Sequence, residues 1–139
     1  MRYEFVDTNV LLYAYDVSAG ERHGRARELV SRLGRERTGV LSVQVLQEFT
    51  VNATRKIAQP ISPESARDRV RALSMWHVHA PTAADVIAAS EIAEQSQLSF
   101  WDAMIVRSAT QTNCSVLWTE DLNHSQRVSG VEVRNPFSG

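Results

Sequence analysis

Apolar and polar positions follow two different periods along the chain, and the pattern predicts strands that alternate with helices. Short apolar runs predict strands, and segments whose apolar residues recur every three or four positions predict helices. Segment 21–37 is an example, because Ala26, Leu29 and Leu33 share one face. The predicted strands are 2–6, 38–41, 76–79, 115–119 and 131–134, and the predicted helices are 10–15, 21–37, 42–56, 63–75, 82–95 and 100–112.

Strands that alternate with helices predict an α/β fold with a parallel sheet covered on both faces. The 139 residues contain no repeat or interdomain linker, so we expect a single domain over residues 1–139. No apolar run approaches the ~20 residues of a membrane span, and the N-terminus lacks a signal-peptide pattern. The lone cysteine, Cys114, fits a reducing compartment. We therefore expect a cytoplasmic protein that does not cross a membrane.

Several helix starts carry capping residues, which give local anchors for the element boundaries. Ser42 is placed to cap the third predicted helix, and Ser62 precedes Pro63 at the start of the fourth. Thr82 and Asp85 have the spacing of a capping box. This spacing gives Asp85 a structural explanation.

Two aspartates, Asp7 and Asp121, each follow an apolar strand. In open α/β sheets, ligand sites form outside the carboxyl ends of strands, where the strand order reverses. If these two strands are neighbours, both carboxylates face one crevice. The structural alternatives are a helix N-cap for Asp7 and a turn residue for Asp121.

Two further acids lie near helix starts. Asp102 heads an apolar stripe that includes Ile105 and Val106, so we expect it to be partly buried and to require a cation. Its structural alternative is a capping box with Ser99. Glu48 lies off the main apolar stripe of its helix, so periodicity alone predicts that it is exposed to solvent, but the flanking Val45 and Val51 suggest that this side of the helix is also covered.

Charge decides what these four acids could do together. The net charge of −1 gives no global attraction to nucleic acid. Four ionised carboxylates in one pocket would repel one another and raise each other's pKa. Divalent Mg²⁺ or Mn²⁺ would neutralise them, because these hard cations select carboxylate oxygens. Such a site suits hydrolysis of a phosphodiester bond by metal-activated water.

The four acids stand in four motifs along the chain, which are Val6-Asp7-Thr8-Asn9-Val10-Leu11, Gln47-Glu48-Phe49, Trp101-Asp102-Ala103-Met104-Ile105 and Thr119-Glu120-Asp121-Leu122. In this order they resemble the signature of PIN-domain nucleases, and in particular the VapC-type toxins of bacterial toxin–antitoxin pairs. The compact length and the ending 131–137 add to the resemblance, which covers nearly the whole chain. One departure is Ser125, where relatives often have glycine.

The resemblance implies a three-layer sandwich with about five parallel strands in the order 3-2-1-4-5, and RNA cleavage that depends on Mg²⁺ or Mn²⁺. It implies that Asp7 and Asp102 are direct metal ligands and that Glu48 and Asp121 bind metal directly or through water. It also implies a homodimer that a cognate antitoxin silences. The polar residues that would orient ligands or water are Thr8, Asn9 and Thr119.

Other readings of the residues compete with this one. A receiver domain needs a lysine after a late strand, but the only lysine is Lys56, and a haloacid-dehalogenase-type phosphatase needs an aspartate where Asn9 stands. A non-catalytic module of the same fold that binds RNA or protein remains the alternative. His77 and His79 share one side of a predicted strand, but no third ligand lies nearby in sequence for a zinc site. Trp101 is expected to be a core residue, with base stacking as the alternative.

Overall fold

The computed structural model describes residues 2–138, which form one sheet with flanking helices. The strands are β1 (Tyr3–Val6), β2 (Gly39–Ser42), β3 (His77–His79), β4 (Cys114–Trp118), β5 (Arg127–Val128) and β6 (Val131–Arg134). The helices are α1 (Thr8–Tyr15), α2 (Glu21–Glu36), α3 (Val43–Arg55), α4 (Pro63–Leu73), α5 (Ala83–Ser96) and α6 (Phe100–Gln111). A short 3₁₀ helix, Val17–Ala19, separates α1 from α2.

The sheet has the order β3-β2-β1-β4-β6-β5. Strands β3, β2, β1, β4 and β6 are parallel, and they correspond in this order to the predicted 3-2-1-4-5. The α/β class and the core of the strand order are therefore confirmed. The sequence pattern missed β5, which pairs antiparallel with β6 at the edge.

Strand β5 was missed because it is too short to show a period. It contains two residues and joins β6 through Ser129 and Gly130, whose φ angles are 50° and 84°. Two successive positive φ angles suit the tight turn of a two-residue hairpin. The hairpin adds one antiparallel strand to the edge and leaves the five parallel strands unchanged.

The predicted caps are present. The Ser42 hydroxyl accepts a hydrogen bond from the Val45 N–H at 3.3 Å, and Ser62 accepts one from Ser65 at 3.1 Å. Thr82 and Asp85 form both bonds of a capping box. Each cap depends on residues within three positions, which is why the sequence predicts it.

The helices form two groups. Helix α1 packs against α2 and α3, and α3 packs against α4, whereas α5 packs against α6. Right-handed crossovers place the helices before β3 on one face and those after it on the other. The central strands supply fully buried side chains, among them Phe5, Val40 and Leu117. Within residues 2–138, each helix is too short or too polar to cross a bilayer.

Candidate active site

The four acids lie at the carboxyl end of the parallel sheet. Asp7 directly follows β1, and Asp121 lies in the loop after β4. Glu48 is in the second turn of α3, which follows β2, and Asp102 is in the first turn of α6. Strand β1 lies between β2 and β4, so the direction of strand order reverses between β1 and β4. The site is therefore at the switch point where α/β sheets bind ligands.

The four carboxylates line one cavity of about 260 Å³. The structure therefore brings together all four of the acids that the sequence analysis considered as one pocket. The remaining lining residues are Thr8, Asn9, Gln44, Asn52, Lys56, Trp101 and Ile105.

Asp7 is the most buried of the four acids, with 6% of its surface exposed. One carboxylate oxygen accepts from the Thr8 N–H at 2.7 Å, and the other accepts from the Thr119 hydroxyl at 2.8 Å. Burial raises the pKa of Asp7 to about 7, and the charges of Asp121 and Glu48 act in the same direction. Asp7 thus caps α1, as its structural alternative required, and also lines the cavity.

Glu48 faces the cavity and is half-buried, so the exposure expected from periodicity was wrong. Its carboxylate accepts from the Thr8 hydroxyl at 2.6 Å and from the Gln44 side-chain amide at 3.4 Å. The Gln44 amide also donates to the Trp101 carbonyl at 3.3 Å. This bond ties the start of α6 to α3. The side of α3 that carries Glu48 is therefore covered by α1 and α6.

Asp121 is the most solvent-accessible of the four acids. The Asn9 amide lies 3.5 Å from both of its carboxylate oxygens, and its N–H donates to the Thr119 hydroxyl at 3.1 Å. Burial raises the pKa of Asp121, and the charge of Asp102 raises it further. Thr119 therefore forms hydrogen bonds with both Asp7 and Asp121, and Asn9 forms one with Asp121.

Asp102 takes part in only half of a capping box. Its N–H donates to the Ser99 hydroxyl at 3.1 Å, as the structural alternative predicted. Within residues 2–138, the Asp102 carboxylate does not accept the second bond of a capping box, which would come from the Ser99 backbone N–H. The helix cap therefore uses the backbone of Asp102 and leaves its side chain at the cavity.

The loop after Asp121 contains the departure from the family pattern. Ser125 has a φ of 68°, a left-handed conformation that glycine adopts without a steric cost. Its N–H donates to the Val133 carbonyl at 2.8 Å. The serine therefore occupies a position at which glycine is favoured, and the loop is still bonded to β6.

The charge of the four acids is only partly offset by the described residues that line the cavity, among which Lys56 is the one basic side chain. Among residues 2–138, none of the four acids forms an ion pair with arginine, lysine or histidine. Within the same residues, no group of three or more acidic, histidine or cysteine side chains is arranged to hold a metal ion as it stands. Glu48 and Asp121 are instead bonded to the neutral Thr8 and Asn9. The donor set fits a hard divalent cation in charge and chemistry, and binding one requires these carboxylates to exchange hydrogen bonds for the ion.

Sequence reasoning missed several lining residues. Gln44, Asn52 and Lys56 stand four, four and eight positions from Glu48, so they lie along the same face of α3. That spacing was available in the sequence. Trp101 was expected in the core, but 63% of it is exposed.

The two histidines of β3 do not share a ligand. The His79 ring bonds the Ser108 hydroxyl at 2.9 Å and lies 3.4 Å from an Asp85 carboxylate oxygen. His77 is exposed. His79 therefore belongs to the packing between β3 and the α5–α6 pair.

Comparisons with known proteins identify the family and agree with the fold. The family model described as PIN domain matches residues 5–129. The chain is similar to a toxin–antitoxin complex from Klebsiella pneumoniae, with a TM-score of 0.69 at 20% identity, covering 96% of this chain and 98% of that one. DNA-bound VapBC from Salmonella typhimurium gives 0.68 at 21% identity, covering 98% and 99%. Mycobacterium tuberculosis VapC20, a sarcin-ricin loop cleaving toxin, gives 0.62 at 20% identity, covering 82% and 86%. No curated protein sequence matches the chain.

Proposed function

The chain belongs to the PIN domain family, and from this premise we propose that it is a metal-dependent endoribonuclease that acts as the toxin of a toxin–antitoxin pair. The observation that carries the proposal is the cavity at the carboxyl ends of β1 and β4. Four carboxylates line it, and none forms an ion pair within residues 2–138. A site with this much uncompensated negative charge favours a bound cation.

The role of each acid is proposed from the family motif that it matches. Asp7 and Asp102 are the proposed direct ligands of Mg²⁺ or Mn²⁺, and Glu48 and Asp121 bind directly or through water. The carboxylates of these four acids would hold the divalent metal, which would supply Lewis acidity for activating water and for stabilising the leaving oxygen.

The polar neighbours orient these acids. Thr119 donates to Asp7 and accepts from the backbone of Asp121, so it fixes two acids from two strand ends. Thr8 holds Glu48, and Asn9 holds Asp121. Partners of this kind set the orientation of metal ligands, and their loss typically weakens metal binding or activity by about 10- to 100-fold.

The toxin role rests on the family and on the solved structures with the same fold. Two of those structures are toxin–antitoxin complexes, and a third is a toxin that cleaves the sarcin-ricin loop. We propose that this chain likewise acts on RNA in the cytoplasm, forms a homodimer and is silenced by a cognate antitoxin.

The test is cleavage of folded transfer and ribosomal RNA by the purified protein with Mg²⁺ or Mn²⁺. Chelator and Asp7→Asn are the controls, which exclude a contaminating ribonuclease. Cleavage that requires metal and disappears in the variant is the expected result. Failure of well-folded protein to cut any RNA, together with no metal binding by calorimetry, would overturn the proposal and favour a binding module.

A further inference from the structure

The acidic cavity has two walls that extend beyond the carboxylates. One wall is a row of polar residues spaced four positions apart, three on α3 and one directly after its end: Gln44, Glu48, Asn52 and Lys56. The other wall is the first turn of α6, which carries Trp101, Asp102 and Ile105. The proposed hydrolysis gives a role to the four acids and none to Lys56 or Trp101.

Lys56 is the only lysine of the chain and the only basic residue among those lining the cavity. It follows the last residue of α3 and is exposed. Eight residues separate it from Glu48, which is about 12 Å along a helix. Within residues 2–138 it forms no ion pair with an acidic side chain. Its ammonium group is therefore available at the edge of a site that otherwise repels phosphate.

A structural role for Lys56 is the favourable interaction of a cation with the carbonyl end of a helix. Arg55, in the last turn of the same helix, already supplies such a charge. Arg55 is exposed and does not line the cavity. A cation at position 55 or at position 56 would interact equally well with the helix end. The helix end therefore does not explain why Lys56 lines the cavity.

Trp101 presents a large aromatic surface beside Asp102. It is 63% exposed, although tryptophan is usually among the more buried residues. Its ring meets the Phe100 ring edge to face, with centroids 5.2 Å apart, and its carbonyl accepts the bond from Gln44. The backbone that carries the indole is thus fixed against α3.

We propose that Trp101 and Lys56 position the substrate from the two walls: the indole stacks on an unpaired base, and the ammonium group binds a backbone phosphate next to the scissile one. The inference rests on the proposed function. Stacking on a protein aromatic requires a base that is free of its own helical stack. The arrangement therefore selects an unpaired nucleotide at the site of cleavage.

The binding test uses a short fluorescein-labelled single-stranded RNA of randomised sequence, with a labelled RNA duplex for comparison. Anisotropy in chelator measures affinity without cleavage. Trp101→Ala is expected to weaken single-strand binding by between about 5-fold and 150-fold, and Trp101→Phe to retain most of it. Met75→Ala removes another exposed apolar side chain, 85% exposed and absent from the cavity lining, and is expected to bind as the wild type does.

Salt dependence tests Lys56 separately. Loss of one phosphate contact lowers the slope of log affinity against log salt by about 0.7 for a single strand. We expect the slope to fall by this amount in Lys56→Gln. In Lys56→Arg we expect the wild-type slope, because arginine keeps the positive charge. Arg55→Gln removes the same charge from the neighbouring position and is expected to leave the slope unchanged.

The outcomes separate this inference from the proposed function. Metal-dependent cleavage by the wild type, with unchanged KM and binding in Trp101→Ala and Lys56→Gln, would overturn the inference and leave the nuclease intact. Equal binding of duplex and single strand, or equal slopes for Lys56→Gln and Arg55→Gln, would also overturn it. Weakened single-strand binding in both variants of a protein that does not cleave would support the inference while the nuclease proposal failed.

Discussion

Two buried aspartates of this molecule, Asp7 and Asp85, are treated in opposite ways by the fold. Asp85 is 3% exposed, and its carboxylate accepts from Arg107 at 2.8 Å and lies 3.4 Å from His79. The Thr82 N–H and the Arg107 side chain hold the pKa of Asp85 below its usual value. Asp7 is 6% exposed, and within residues 2–138 its carboxylate receives hydrogen bonds only from neutral donors. Burial raises its pKa to about 7.

The difference shows that burial alone does not indicate function. A buried carboxylate with an arginine partner is explained by the packing of α5 against α6. A buried carboxylate without a cation destabilises the fold unless a cation comes from outside the chain. A pKa raised by burial and by neighbouring acids, at the carboxyl end of a sheet, marks a candidate functional group.

The largest expected effect is a loss of RNA cleavage. Of the two aspartates, only Asp7 should show this loss when it is substituted. Asp7→Asn keeps the side-chain volume and removes the charge of a proposed metal ligand. Loss of groups that merely orient ligands costs about 10- to 100-fold, so we expect cleavage to fall by more than about 100-fold. Asp85→Asn should cleave at the wild-type rate per folded molecule. RNA cleavage with Mg²⁺, normalised to the folded fraction, checks both; a similar loss in the two variants would remove the contrast.

The next effect is on stability and should appear mainly at Asp85. Asp85→Asn leaves Arg107 without its charged partner and disrupts the capping box with Thr82. Breaking a buried ion pair costs about 3–5 kcal/mol, and because Arg107 is partly exposed we expect about 2–4 kcal/mol here. Asp7→Asn should leave the metal-free protein no less stable. Urea unfolding in chelator measures both free energies of unfolding, and a larger loss at Asp7 would contradict this account.

The capping role of Asp85 was predictable from the sequence, because it is local, whereas its ion pair with Arg107, 22 positions away, was not. The Thr82–Asp85 capping box needs only residues three positions apart, and the same is true of the Ser42 cap. Asp7 and Asp121 were predictable from their position after apolar strands. The order of the five parallel strands came from the family resemblance and was confirmed.

Val45 and Val51 suggested that the Glu48 side of α3 is covered, but what covers it was not predictable, because this depends on contacts far apart in sequence. Gln44 bonds the Trp101 carbonyl across 57 positions, and this contact turns one side of α3 into a cavity wall. Helical periodicity separates an apolar face, which packs on the core, from a polar face. It does not tell whether the polar face contacts solvent or lines a polar cavity. The exposure of Trp101 and the position of Lys56 at the cavity follow from the same packing.

A third test uses pH, because the two aspartates should affect stability in opposite directions. The folded pKa of Asp7 is about 7 against an ordinary value of 3.8, so the folded state binds more protons between these values. Its contribution to the free energy of unfolding therefore falls as pH rises from about 4 to about 7. The folded pKa of Asp85 is lowered, so its contribution is present above 3.8 and is lost as pH falls below that value.

The measurement is urea unfolding of metal-free protein across this pH range. One proton changes the free energy of unfolding by at most about 1.4 kcal/mol per pH unit. Asp7→Asn should flatten the decline between about pH 4 and pH 7, whereas Asp85→Asn should leave that decline in place. Equal slopes in wild type and Asp7→Asn would mean that Asp7 is ionised in the metal-free fold.

The smallest expected effect on stability concerns Gln44, which links the uncompensated site to its surroundings. Gln44 is 9% exposed, and within residues 2–138 its side-chain oxygen has no hydrogen-bond partner. Gln44→Met removes the bonds to Glu48 and the Trp101 carbonyl, which are long at 3.4 and 3.3 Å, and also removes the unpaired oxygen. These effects oppose each other, so we expect the free energy of unfolding to change by less than about 1 kcal/mol.

Cleavage should nevertheless fall by about tenfold in Gln44→Met, because Glu48 loses a group that holds its carboxylate. Gln47→Met is the matched control, since Gln47 is exposed on the same helix and does not line the cavity. The contrary result would be a loss of stability in Gln44→Met as large as that in Asp85→Asn, together with normal cleavage per folded molecule. Gln44 would then stabilise the fold, as the Asp85 ion pair does, and would not orient Glu48 for cleavage. The uncompensated site would then begin at Glu48.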